Sequence, residues 1–187
     1  VKEFMMTSLL LEREIELVEN KHGVSFGQKR ERASEEDSPY YSQIDHQFRA
    51  EASRMAPLYE IFYSLERTIR AFVGDTLESE YGPSWQENRI PSSILDSVKK
   101  RRTGEIDKAI TPRSDDLIDF TTFGELGQII RNNWEVFAGI FSSEKAVERV
   151  MASLNSLRAP IAHCTELAED EVVRLQLSVK DWFRLME

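Results

Sequence analysis

Arg158 and His163 stand five positions apart in Leu157-Arg158-Ala159-Pro160-Ile161-Ala162-His163, near the end of an apolar-periodic segment. A guanidinium is a permanent cation whose planar fork of donors suits phosphate, and an imidazole exchanges a proton near neutral pH. Together they suit metal-free phosphodiester cleavage. On an ideal helix, five positions turn through about 140°, so an unbroken helix would hold the two side chains on different faces. Pro160 alters that expectation. Its ring opposes the carbonyl of Ser156 and it lacks an N–H, so the helix is expected to kink or finish there and free the next residues to turn both groups into one cleft. The plain alternative makes Arg158 a solvated helix-end cation and His163 a C-terminal cap that complements the helix dipole.

The elements that must position this pair are helical. Leu126, Ile130, Trp134, Phe137 and Phe141 fall on one face of a helix; Val147, Val150, Met151, Leu154, Leu157 and Ile161 mark the next; Val172, Leu175, Val179, Trp182 and Phe183 mark the last. Connections as short as Ser142-Ser143 and Cys164 to Ala168 predict antiparallel neighbours in a bundle. Upstream, Leu58, Ile61, Phe62, Leu65, Ile69, Phe72, Val73 and Leu77 predict a long helix from about Ala52 to Glu80, broken at Tyr81-Gly82-Pro83. Ile94, Leu95 and Val98 predict a helix within Pro91 to Ile110, interrupted at Gly104, with a loop at Thr111 to Asp116. A short extended piece fits Leu117 to Phe123, without a partner run to make a sheet. Glu3 to Asn20 reads as a short amphipathic helix, and Val24 to Arg49 as a charged linker or mobile arm. The expected fold is all-α: an antiparallel bundle of about four to five helices over residues 51–187, with a helical and linker appendage over 1–50.

Composition narrows the function classes. The 187 residues suffice for one ordinary domain plus an appendage. A net charge of −9 repels polyanions on average, so an RNA site must be a local basic island. The single cysteine, Cys164, rules out an internal disulfide, and with 3 His there are too few soft ligands for a zinc cluster; no metal or cofactor is expected. The sequence holds no membrane-length apolar run and its start lacks a signal-peptide pattern, which predicts a cytoplasmic protein with no membrane partner. Because the chain opens at Val1 rather than Met, it is expected to be a piece of a longer polypeptide.

The run Leu154-Asn155-Ser156-Leu157-Arg158-Ala159-Pro160-Ile161-Ala162-His163-Cys164, followed by Leu167 and the acidic helix start Ala168-Glu169-Asp170-Glu171, resembles the signature of the HEPN superfamily of small α-helical ribonuclease domains. Phe120-Thr121-Thr122-Phe123-Gly124-Glu125-Leu126 and Trp134 resemble the subgroup found at the C-terminus of a eukaryotic RNA-surveillance endonuclease and in bacterial defence proteins. The resemblance covers residues 55–186. It implies a homodimer in which two Arg-His motifs face each other and form one RNA cleft that cleaves without metal. In that reading Arg158 binds the scissile phosphate, and His163 takes the 2′-hydroxyl proton or supplies one to the leaving 5′-oxygen. Antiviral defence, toxin–antitoxin or RNA-surveillance roles follow, with an antitoxin or further domains of a longer polypeptide as partners. The family commonly has a polar residue directly after the arginine, where this chain has Ala159. That departure fits a second reading: a catalytically inactive HEPN-like module for dimerisation or partner docking. A third is a nucleotide-sensing regulatory domain.

Lys99-Lys100-Arg101-Arg102 is the strongest positive run and the candidate RNA-guiding island, its plain alternative being a solvated helix end. Cys164 beside His163 reads as a half-buried structural cysteine rather than half of a nucleophilic dyad. Lys29, Arg30 and Arg32 read as linker composition; His22 and His46 are too isolated to be ligands. The acidic runs Glu35-Glu36-Asp37 and Asp115-Asp116 read as solvated loops. Trp85, Trp134 and Trp182 read as core or interface aromatics.

Overall fold

The long apolar stripe upstream of the Arg-His segment forms the first and longest helix of the computed structural model, which describes residues 41–187 apart from Ile110 and Pro112. The chain divides into two compact units, Val1–Phe48 and Arg49–Glu187. Of the first, the described residues are a 3-10 turn, Tyr41–Gln43, and the start of a helix at His46. The expected helix from Glu3 to Asn20, the basic run Lys29 to Arg32 and the linker up to residue 40 lie outside the described residues, as does His22.

Seven α-helices follow one another, with no strand among the described residues. They are α1 (His46–Tyr81), α2 (Trp85–Arg89), α3 (Ser92–Asp107), α4 (Phe123–Asn132), α5 (Trp134–Phe137), α6 (Glu144–Ala162) and α7 (Glu169–Arg184). A 3-10 turn, Leu117–Phe120, joins α3 to α4. Helix α1 begins six positions before the expected Ala52 and runs through Pro57. It stops where expected, at Gly82 with φ +75°, a conformation that glycine adopts without steric cost.

Burial explains the assembly. Leu58, Phe62, Leu65, Ile69, Val73 and Leu77 are the buried stripe of α1. Phe62 meets Phe123 of α4 edge-on at 5.4 Å, and Phe72 meets Phe137, Phe141 and Trp182 at 6.0, 5.7 and 6.5 Å. Helix α6 packs between α4 and α7, burying Val147, Met151, Leu154 and Leu157. The core tryptophans are Trp85 and Trp182; Trp134 is partly buried against the same cluster.

Three expectations need correction. The Leu126 to Phe141 segment is not one helix: it breaks at Asn133, where the backbone leaves helical geometry (φ −119°, ψ 33°) and the buried side-chain amide donates to the Ile129 carbonyl (2.8 Å) and across to the Arg89 carbonyl (3.1 Å). Gly104 does not interrupt α3, which runs to Asp107. Leu117–Phe120 is a 3-10 turn rather than an extended piece, because the buried Arg70 gathers the carbonyls of Ile118 and Thr121 at its end.

Candidate functional site

Pro160 does not end its helix. Helix α6 continues to Ala162, and His163 is the C-cap with φ −105° and ψ 19°. Cys164 follows at φ +55°, and the Thr165 N–H returns to the Pro160 carbonyl at 2.9 Å, which closes a Schellman-type stop. Helical order thus persists to Ala162, contrary to the expected finish at Pro160. Cys164 is exposed rather than half-buried, since its left-handed backbone carries it past the last packed turn.

Arg158 lies in the wall of a groove of about 300 Å³ between α1 and the end of α6. Four arginines (Arg67, Arg70, Arg113, Arg158) and two carboxylates (Glu66, Asp119) line it, with Tyr59, Tyr63, Phe62, Ile161 and Ala162. Each of these arginines already faces a carboxylate, Arg67 and Arg70 at Asp119, Arg70 and Arg158 at Glu66, and Arg113 at Glu105 outside the lining, so a local excess of one cation stands in a chain of net charge −9. The residues from α1 recur at helical spacing along one face, so a single helix carries aromatic and cationic groups to the same wall.

Glu66 organises this wall. Its Oε2 accepts from Nε of Arg158 at 3.2 Å, and its Oε1 accepts from Nη2 of Arg70 at 2.7 Å. Arg70 is buried, and its Nη1 donates to the Ile118 carbonyl (2.5 Å), the Thr121 hydroxyl (2.7 Å) and the Thr121 carbonyl (3.2 Å). A buried guanidinium is tolerable only when its donors are used in this way. The bond to Glu66 uses Nε, and the Nη groups of Arg158, whose side chain is 39% exposed, have no hydrogen-bond partner among the described residues. Sequence reading missed Glu66 and Arg70. The available signal was two charged residues at i, i+4 in phase with the buried stripe of α1.

His163 is exposed and does not line the groove. Among the described residues its imidazole has no hydrogen-bond partner, so it is unencumbered at the end of α6. The tetrad on α3 does not form one open patch. Arg101 makes a two-pronged pair with Glu125 (2.7 and 2.8 Å) and donates to the Phe120 carbonyl (2.8 Å). Arg102 faces Asp115 at 3.7 Å, while Lys99 and Lys100 are exposed. Glu125 also completes the capping box of α4 with Thr122. Burial pulls the Glu125 carboxyl upward, but Arg101 and the Thr122 N–H outweigh it and hold the group below the usual carboxylate range; Arg101 is raised in turn by Glu125.

Among the described residues, no helix is long and apolar enough to cross a membrane, and no three His, Cys, Asp or Glu side chains are grouped to hold a metal. No curated protein and no solved structure matches the chain. A family model described as Swt1-like HEPN matches residues 60–187, a span that includes Glu66, Arg158 and His163, and the chain accordingly belongs to the Swt1-like HEPN family.

Proposed function

We propose that this domain is a metal-independent endoribonuclease whose cleft is completed by a second copy of the chain. The observation that carries the reading is the Glu66-held guanidinium of Arg158 in the wall of a four-arginine groove. In the proposed reaction the 2′-oxygen attacks phosphorus as its proton passes to the imidazole of His163 from one copy. The bond from phosphorus to the 5′-oxygen breaks, and a water molecule protonates that leaving oxygen, its hydroxide being neutralised as the imidazolium gives up its proton. The products are a 2′,3′-cyclic phosphate and a 5′-hydroxyl. Arg158 offsets the charge that builds on the phosphate.

Single-stranded RNA incubated with the protein in EDTA tests this. Cleavage is expected, reduced about 100- to 1,000-fold in Arg158→Ala and about 100-fold or more in His163→Ala, with unchanged circular dichroism. Ala159 and the exclusion of His163 from the groove favour a second reading, a catalytically silent HEPN module. No cleavage at any protein concentration, with dimerisation intact in both variants, selects that reading. Defence, toxin and surveillance roles all rest on the cleavage result.

A further inference from the structure

Beside Arg158 the groove offers an aromatic surface that phosphate recognition does not require. Tyr59 and Tyr63, one helical turn apart on α1, have ring centroids 6.0 Å apart and ring planes inclined by 29°. Large apolar rings are ordinarily drawn into a core, yet these are 57% and 56% exposed. Among the described residues neither hydroxyl is hydrogen-bonded, so no polar bond holds the rings outward. The next turn carries Arg67, whose side chain is 62% exposed and whose Nη1 is 3.6 Å from Oδ1 of Asp119. Arg158 lies across the groove.

We propose that Tyr59 and Tyr63 form a stacking platform for an unpaired nucleobase of single-stranded RNA, with the adjoining phosphates held by Arg67 and Arg158. The proposal rests on the reading of this groove as an RNA site and adds to it the form of RNA it selects. A nucleotide presents a flat π-face and an anion a few ångströms apart. This wall presents open aromatic faces and cations at the same scale. Stacking on a side chain requires a base that is not paired in a duplex, so the platform discriminates against double-stranded RNA and accepts any base. The exposed guanidiniums of Arg67 and Arg158, 62% and 39% exposed, beside the rings favour an anion over an apolar protein segment as the occupant.

The test is fluorescence anisotropy with the full chain in EDTA, using a 2′-deoxy 12-mer that cannot be cleaved and an abasic sugar-phosphate 12-mer. Tyr59→Ala/Tyr63→Ala is expected to weaken binding of the base-bearing strand about 10-fold or more, and to leave the abasic strand unchanged. Tyr59→Phe/Tyr63→Phe, which keeps both rings, is expected to bind like the parent. Arg158→Ala is expected to weaken both strands. Parental affinity of the alanine pair for the base-bearing strand, with Arg158→Ala still defective, overturns the platform and leaves the groove reading standing. Equal loss on both strands assigns the tyrosines a structural role and overturns it too. No binding of either strand by the parent protein overturns the platform together with the groove reading. Loss of self-association in the alanine pair with strand binding intact assigns the face to contact between copies and overturns the proposal.

Discussion

Glu66 is flanked by two guanidiniums and separates aiming from chemistry. It bonds Nε of Arg158 with one oxygen and Nη2 of Arg70 with the other. Glu66→Gln preserves shape but replaces one acceptor by a donor that faces an arginine, so Arg158 loses its orientation while its charge remains. If Glu66 acts only by positioning Arg158, kcat on single-stranded RNA is expected to fall about 10- to 100-fold with a smaller change in KM. A KM increase alone, measured under steady-state conditions, would mean that Glu66 serves ground-state binding instead. Cys164 allows a stability prediction free of catalysis. A non-glycine residue at φ +55° carries a cost of about 1–2 kcal/mol. Glycine removes that cost and returns about 0.5–1 kcal/mol through its freer unfolded chain. Cys164→Gly is therefore expected to be neutral or to stabilise by up to about 1.5 kcal/mol in urea denaturation. Cys164→Val is expected to destabilise, because β-branching is poorly tolerated in this region.

Between elements, Arg70 and Arg101 each tie a helix to the connection before α4. Arg70 fastens the 3-10 turn onto α1 from a buried position; Arg70→Met removes the donor to Oε1 of Glu66 and the bonds that tie the Ile118 and Thr121 carbonyls to α1, and is expected to cost about 3–5 kcal/mol of unfolding free energy. Arg101 fastens α3 to the cap of α4 through Glu125. Because the folded Glu125 carboxyl lies below its ordinary value, its contribution is complete above the unfolded pKa of about 4.3 and is lost as pH falls through the folded value. Glu125→Gln should therefore lower Tm at neutral pH and flatten the decline of Tm below about pH 4.3, as read by calorimetry across pH. These ties also explain what the sequence could reveal. Helices α6 and α7 were legible because continuous 3.6-residue apolar periods announce them, and the end of α1 because Gly82-Pro83 allows little else. The break at Asn133 was not legible, since the side-chain bond made there reaches Arg89, 44 positions away. Helical persistence past Pro160 was hidden for a related reason: neighbouring packing at Leu157 and the closing bond from Thr165 to Pro160 hold the last turn. Arg158 stood out by type and spacing, whereas its partner Glu66, 92 positions earlier, had the look of a solvated helix charge.

For the whole molecule, the separation of Arg158 from His163 becomes an argument about assembly. One copy places Arg158 in its groove and leaves His163 exposed at the C-cap of an unbroken α6. A cleft made between two copies would let the guanidinium of one meet the imidazole of the other, and an isologous two-fold contact would supply two such pairs. Complementation tests this directly. Arg158→Ala and His163→Ala proteins, each inactive alone, are mixed and allowed to exchange subunits. About half of the dimers then combine both variants, by random pairing under two-fold symmetry. Each such dimer holds one intact Arg158 and one intact His163 on opposite copies. If the cleaving pair forms across the interface, the mixture is expected to recover RNA cleavage in EDTA, to about a quarter of the parental rate when each dimer has two equivalent sites. If the pair acts within one copy, every mixed dimer lacks a complete site and the mixture stays as inactive as its components. Sedimentation equilibrium on the same samples shows whether exchange has a dimer to act on, so the absence of recovery with dimers present would overturn the composite cleft.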